Sequence, residues 1–217
     1  MKRWVFLFSL LLSLWISAQE KPQFWNEIQE FKQKDSAQKP PQNAILFVGS
    51  SSFTKWTDVS DYFPGKTIIN RGFGGSSLKD LNVYYKDLLA PYHPKQIVIY
   101  CGENDFASNP QLKAGEALKR FKKFYGKIRA MYPDTPVSYI SIKMSPSREK
   151  LWNQFAATNA KIKNFLKGQK NTEYIDITKA MLDEHGKVRS DLYLEDMLHM
   201  KPEGYKIWAD VITPHLK

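Results

Sequence analysis

Five short apolar runs, separated by helical patterns, constrain this chain more than any other feature. They span residues 44–48, 67–70, 96–101, 136–142 and 174–177, and they are rich in Ile and Val without clean alternation. An alternating strand buries one face, whereas a strand apolar throughout buries both, as in a parallel sheet covered on each side by helices. Helical patterns lie around these runs. Residues 24–37 carry Phe24, Trp25, Ile28 and Phe31 on one face, and Lys39-Pro40-Pro41 stops that helix. Residues 77–90 carry Leu78, Leu81, Tyr85, Leu88 and Leu89, and residues 112–131 carry Leu118, Phe121, Phe124, Tyr125 and Ile128. Residues 148–166 carry Leu151, Trp152, Phe155, Ile162 and Leu166, and residues 203–216 close the chain with Pro202 favourable at the first turn. Strand-helix alternation through five units predicts an α/β fold, a three-layer α/β/α sandwich on a five-stranded parallel sheet.

The first residues stand apart from that pattern. Lys2 and Arg3 precede an apolar stretch over 4–16, and Ser17-Ala18 supplies small residues for cleavage. This reads as a secretory signal peptide over 1–18, too short for a comfortable membrane span. A single domain over 19–217 and an exported protein, periplasmic or secreted, are therefore expected, without stable membrane insertion after cleavage. No Cys follows the apolar stretch, which argues against a lipid anchor. The sole cysteine, Cys101, cannot form an internal disulfide and suits a small buried position at a strand end. The formal charge is +10. The lysines are scattered, and the densest group, within 113–127, is interleaved with apolar residues as on a solvated helix face. No nucleic-acid partner is expected.

In open α/β sheets, ligands bind beyond the carboxyl ends of the strands. Three polar segments sit at such ends. Ser51, in Gly49-Ser50-Ser51-Ser52, follows the first run; a serine exposed there can act as a nucleophile if a base takes its proton, or the triplet can simply cap a helix. Gly72-Phe73-Gly74-Gly75-Ser76 follows the second run; it lets backbone approach a ligand, or makes a tight turn. It has neither the Lys-Ser/Thr ending of a phosphate loop nor the spacing of a dinucleotide fingerprint. Asn104, in Gly102-Glu103-Asn104-Asp105, follows the third run and can donate its amide to an oxyanion, with Glu103 and Asp105 orienting the loop; a plain turn is the bland alternative. Near the C-terminus, Asp196 and His199 stand three apart. That spacing lets the carboxylate hold one imidazole nitrogen while the other serves the serine. A metal site is the rival, but no Cys/His cluster accompanies the pair, and His93, His185 and His215 are isolated.

Taken together these blocks resemble the SGNH hydrolases, also called GDSL-type esterases and lipases. The resemblance runs from Ile45 to Trp208. It comprises Ile45-Leu46-Phe47-Val48-Gly49-Ser50-Ser51-Ser52, Asn70-Arg71-Gly72-Phe73-Gly74-Gly75-Ser76, Gly102-Glu103-Asn104-Asp105, and Asp196-x-x-His199 continuing through Pro202-Glu203-Gly204-Tyr205. It implies a flavodoxin-like fold and no cofactor. By position it makes Ser51 the nucleophile, His199 the general base and Asp196 its orienting acid. The oxyanion hole would consist of the backbone N–H groups of Ser51 and Gly75 and the Asn104 side chain. Two positions depart from the pattern: Ser50 stands where the family usually has Asp, and Ser76 where Asp often follows the glycine.

The family acts on esters from acetylated sugars to lysophospholipids. The chain has no long insertion suited to a lid, and export would place it among acetylated glycans. The expected activity is release of a short acyl group, acetyl above all, from a small-molecule or glycan ester. A lysophospholipase or thioesterase is the enzymatic alternative, and a non-catalytic glycan-binding module on the same fold is another. Phe73 and Phe106, beside the expected site, are candidate substrate contacts; Trp56 could join them, whereas Trp152 suits the core better. The oligomeric state is not determined by these features.

Overall fold

The computed structural model describes residues 21–217. The expected leader peptide lies outside them. The chain opens with helix α1 (Trp25–Ala37), then β1 (Ile45–Gly49), α2 (Ser51–Thr54), β2 (Ile68–Gly72), α3 (Leu78–Val83), α4 (Tyr85–Leu89) and β3 (Gln96–Tyr100). It continues with α5 (Glu103–Ala107), α6 (Ala114–Met131), β4 (Val137–Ile140), α7 (Trp152–Lys167), β5 (Thr172–Ile175) and α8 (Pro202–Ile212). All strand pairings are parallel, in the order β2-β1-β3-β4-β5. The five-stranded α/β architecture is thus the expected one, with the doubly wound order typical of flavodoxin-like sheets.

The non-alternating runs of the interior strands are explained by burial on both faces. Within β1, Leu46 and Val48 pack with Phe121, Phe124 and Ile162 on one side. Ile45 and Phe47 pack with Phe53, Trp56 and Trp208 on the other. Every residue of β1 and β3 is buried. The three interior strands, β1, β3 and β4, have no solvent face, so their sequence needs no polar alternation, whereas the edge strands β2 and β5 are only partly buried.

Several boundaries differ from the expectation; among them, the strand expected over 136–142 spans only Val137–Ile140 and the last helix ends at Ile212. The helix expected over 77–90 is two shorter helices, with Tyr84 between them in a non-helical conformation. The strand expected over 174–177 begins earlier: β5 pairs Thr172 with Val137 and ends at Ile175. Ile177 is buried but lies past the ladder, where its N–H bonds the Ser141 side chain at 3.0 Å. Apolarity had marked what is buried, not what is paired. A 3-10 segment, Pro146–Leu151, precedes α7 and takes up the start of its expected span.

The chain passes from β1 outward to β2 and then returns to the other side of β1 with β3. The sheet direction therefore reverses between β1 and β3, opening a crevice at their carboxyl ends. Ser51 and Asn104 follow those two ends.

Candidate active site

The serine turn is built by close backbone approach. A Cβ on Gly49 would lie 2.0 Å from the Tyr100 carbonyl oxygen, so no side chain fits there. Ser50 then continues the ladder, donating its N–H to that same carbonyl at 3.1 Å. The single helical turn of α2 is held from two directions. Asn70, in β2, donates its side-chain amide to the Phe53 carbonyl at 2.7 Å and the Trp56 carbonyl at 3.3 Å. From α8, the Tyr205 hydroxyl donates to the Ser52 carbonyl at 2.9 Å, and its ring stacks on Trp56 with centroids 4.8 Å apart. Ser50 and Ser52 are each 1% exposed. Ser51 is only partly buried, so it alone of the three serines is accessible.

Two further turns surround this one. Gly75 is exposed and has φ 80°, a left-handed conformation that costs glycine little and other residues more. The Phe73 N–H and the Ser76 hydroxyl both bond the Gly49 carbonyl, at 3.0 and 3.2 Å, which ties the glycine turn to the end of β1. Asn104 is partly buried and donates its side-chain amide to the Ser76 carbonyl at 3.0 Å. An amide nitrogen carries two hydrogens, and one such bond uses one of them. The flanking acids point inward. Asp105 accepts from the Leu78 N–H at 2.8 Å and pairs with Arg120 at 2.7 Å, and Glu103 pairs with Lys143 at 2.6 Å. Burial pushes the Asp105 carboxyl above its ordinary value, against the opposing pull of Leu78 and Arg120. Gly75 and Asn104 border a cavity of about 370 Å³, whose walls include Gln23, Ser77, Ala107 and Ser108.

The acid and imidazole form a local unit. Asp196 Oδ1 accepts from the N–H groups of Leu198 and His199, both at 2.9 Å. Oδ2 lies 2.5 Å from His199 Nδ1. Partial burial opposes ionisation, but the backbone and ring bonds from His199 and the Leu198 N–H outweigh it, and the Asp196 pKa falls to about 2. Met197 turns the loop with φ 52°, an uncommon conformation for a side-chain-bearing residue. Ser147 grips the Met197 carbonyl through its N–H at 3.0 Å and its hydroxyl at 2.9 Å. His199 Nε2 is buried and has no hydrogen-bond partner. The loop runs directly into α8, which rests on the serine turn through Tyr205. Ser51 and His199 are not joined by a hydrogen bond.

The expected aromatic contacts are corrected by the structure. Phe73 is 1% exposed and packs edge-on against Phe24 and Tyr84. Phe106 is fully buried against Phe155. Both point from their turns into the core, because the apolar ring next to each polar segment anchors the turn from below. Trp56 is likewise buried, and Trp152 donates from its indole to the Ser145 carbonyl at 2.9 Å. Cys101 is buried and free, and burial pushes its thiol pKa well up. The sequence marked Asn70 only as the head of the glycine block, without its role in holding α2, and did not mark Lys143. A signal existed for each: a polar or cationic residue placed within or beside an apolar strand run needs a buried partner.

The sequence pattern of the GDSL-like lipase/acylhydrolase family matches residues 45–207. No curated protein matches the chain. Among solved structures, a GDSL-like lipase from Bacteroides thetaiotaomicron is 19% identical with a TM-score of 0.73, covering 87% of this chain and 96% of its own. A proposed acylhydrolase from Bacteroides fragilis is 20% identical with a TM-score of 0.75, covering 88% of this chain and 96% of its own. A family 3 carbohydrate esterase from Clostridium thermocellum is 16% identical with a TM-score of 0.58, covering 79% of this chain and 93% of its own. At these identities the likeness is one of fold.

Proposed function

The chain belongs to the GDSL-like lipase/acylhydrolase family, and we propose that it is an exported serine esterase, a single domain over 19–217, that releases a short acyl group, acetyl above all, from a small ester such as an acetylated carbohydrate. The observation that carries this reading is the His199 imidazole. Its Nδ1 is held by Asp196 at 2.5 Å, while its Nε2 is buried without a partner. A buried polar nitrogen left unsatisfied is costly and calls for an explanation, and for an imidazole whose other nitrogen is held by a carboxylate a catalytic role supplies one.

In this mechanism Ser51 Oγ attacks the acyl carbon as His199 Nε2 takes its proton. The carbonyl oxygen becomes an oxyanion among the Ser51 N–H, the Gly75 N–H and the Asn104 amide. Asp196 fixes the imidazole tautomer and stabilises the imidazolium. Collapse expels the alcohol, which receives the proton from His199 and leaves an acyl-enzyme on Ser51. Water, deprotonated by His199, then attacks the acyl-enzyme, and the proton returns to Ser51 as the acid departs.

The cavity beside Gly75 and Asn104 is walled mainly by polar and charged residues, Lys79 and Asp80 among them, which favours a hydroxylated alcohol over a long acyl chain. A second reading, a lysophospholipase or thioesterase, is favoured by one feature. Leu194 and Met197, in the segment leading to His199, are 43% and 39% exposed and could receive an acyl chain. Turnover of p-nitrophenyl acetate and octanoate by residues 19–217 separates the two. Higher kcat/KM on acetate supports the first reading, and a steady rise with chain length supports the second. Loss of turnover in Ser51→Ala assigns the nucleophile. Binding of an acetylated glycan without hydrolysis of either ester would instead identify a binding module.

A further inference from the structure

Beneath the three turns lies a buried ion pair that the mechanism above does not use. Lys143 and Glu103 are 1% and 4% exposed, with Nζ 2.6 Å from Oε2. The ammonium also donates to the Ser52 hydroxyl at 3.2 Å and the Tyr100 hydroxyl at 3.4 Å, so its three hydrogens are all engaged. The carboxylate is filled from the other side. Tyr100 donates to Oε2 at 2.7 Å, and Ser145 donates to Oε1 at 3.0 Å.

The partners of this pair are adjacent to the groups proposed to carry the reaction. Ser52 follows Ser51, and Glu103 precedes Asn104. Ser145 lies two residues before Ser147, which grips the Met197 carbonyl in the Asp196–His199 loop. One fully bonded charge pair thus connects the serine turn, the oxyanion turn and the imidazole loop. Buried ion pairs seldom stabilise a fold better than apolar residues of the same size, but they demand one geometry. We propose that Lys143 and Glu103 are positioning residues, setting the separation of Ser51 from Asn104 and, through Ser145, the seat of the His199 loop. This inference rests on the reading of Ser51, Asn104 and His199 as the reacting groups.

The test compares the parent, Lys143→Met combined with Glu103→Gln, Ser145→Ala, and Ser51→Ala on p-nitrophenyl acetate. The double variant removes both charges and nearly keeps side-chain size; the Gln carbonyl oxygen still accepts from one of the Tyr100 and Ser145 hydroxyls, and its amide nitrogen can donate to the other. It is expected to melt cooperatively, keep KM within about twofold and lose kcat by about 10- to 100-fold, since small misplacements of reacting groups carry penalties of that size. Its pH–rate profile should keep its shape, because the pair orients rather than transfers protons. A folded double variant with parental kcat would overturn the proposal, as would a shifted profile, which would make Lys143 a proton carrier. If the double variant does not fold, Ser145→Ala decides: a lower kcat at unchanged KM supports positioning, and parental kinetics overturn it. Activity surviving in Ser51→Ala would sink the reading of the site instead, an outcome distinct from either.

Discussion

The Asn104 side chain donates to the Ser76 carbonyl at 3.0 Å, tying the turn after β3 to the turn after β2. The two segments are 28 residues apart in the chain, and their meeting places an exposed glycine, Gly75, beside an amide with a second hydrogen to give. Removing the amide should therefore act on rate far more than on folding. Asn104→Ala is expected to lose about 10²–10³ in kcat, as for one oxyanion donor, and only about 0.5–1.5 kcal/mol of stability from the lost bond to Ser76. Steady-state kinetics and a thermal melt on the same preparation check this, and a normal kcat would remove Asn104 from the oxyanion hole.

Accessibility separates the three adjacent serines. Ser50 and Ser52 are buried and Ser51 is not. A fluorophosphonate should label Ser51 alone. Peptide mass spectrometry of the labelled protein reads the site directly, and a label on Ser50 or Ser52 would mean the turn rearranges on reaction.

Asp196 has its pKa lowered to about 2, below an unfolded carboxyl value of about 3.9. The sign follows from that depression: its contribution to stability is present above the unfolded value and is lost as pH falls through about 2. The carboxylate thus stays ionised wherever the protein is assayed, and any acid limb in kcat/KM belongs to another group. Carbon NMR titration of the Asp196 carboxyl should give a midpoint near 2. Asp196→Asn should lower kcat on the order of 10⁴, because the imidazole then favours the wrong tautomer.

Asp105 is shifted the other way. Its carboxyl is raised by burial, so its protonated form is the one favoured by folding, and this gain is lost as pH rises through its folded pKa. Its oxygen nevertheless holds the Leu78 N–H. Asp105→Ala should destabilise the fold by about 1–3 kcal/mol, since a buried donor loses its acceptor. Asp105→Asn keeps an acceptor oxygen there and should recover most of that loss in urea denaturation. Equal losses for both would show that the charge pair with Arg120 outweighs the Leu78 bond.

Much of the fold was legible in local pattern. The unbroken Ile/Val runs identified all five strands, and three of them, β1, β3 and β4, are buried on both faces as expected; β2 and β5 lie at the sheet edges and are only partly buried. The position of Pro202 at the first turn of α8 was readable for the same local reason: proline tolerates that position and few others in a helix. Boundaries were less legible where burial and pairing part company, as at Ile177, which is in the core but not in the ladder.

For the site, sequence alone determined the order of the blocks, their place after strand ends and the family they belong to. Asp196 and His199 are close in the chain, so their spacing already specified that they could meet. Only the tertiary structure decided which serine is open, that Phe73 and Phe106 turn into the core, and that Glu103 finds Lys143 forty residues away. Local spacing governs contacts within one turn, whereas exposure and long-range pairing depend on how separate segments pack against one another.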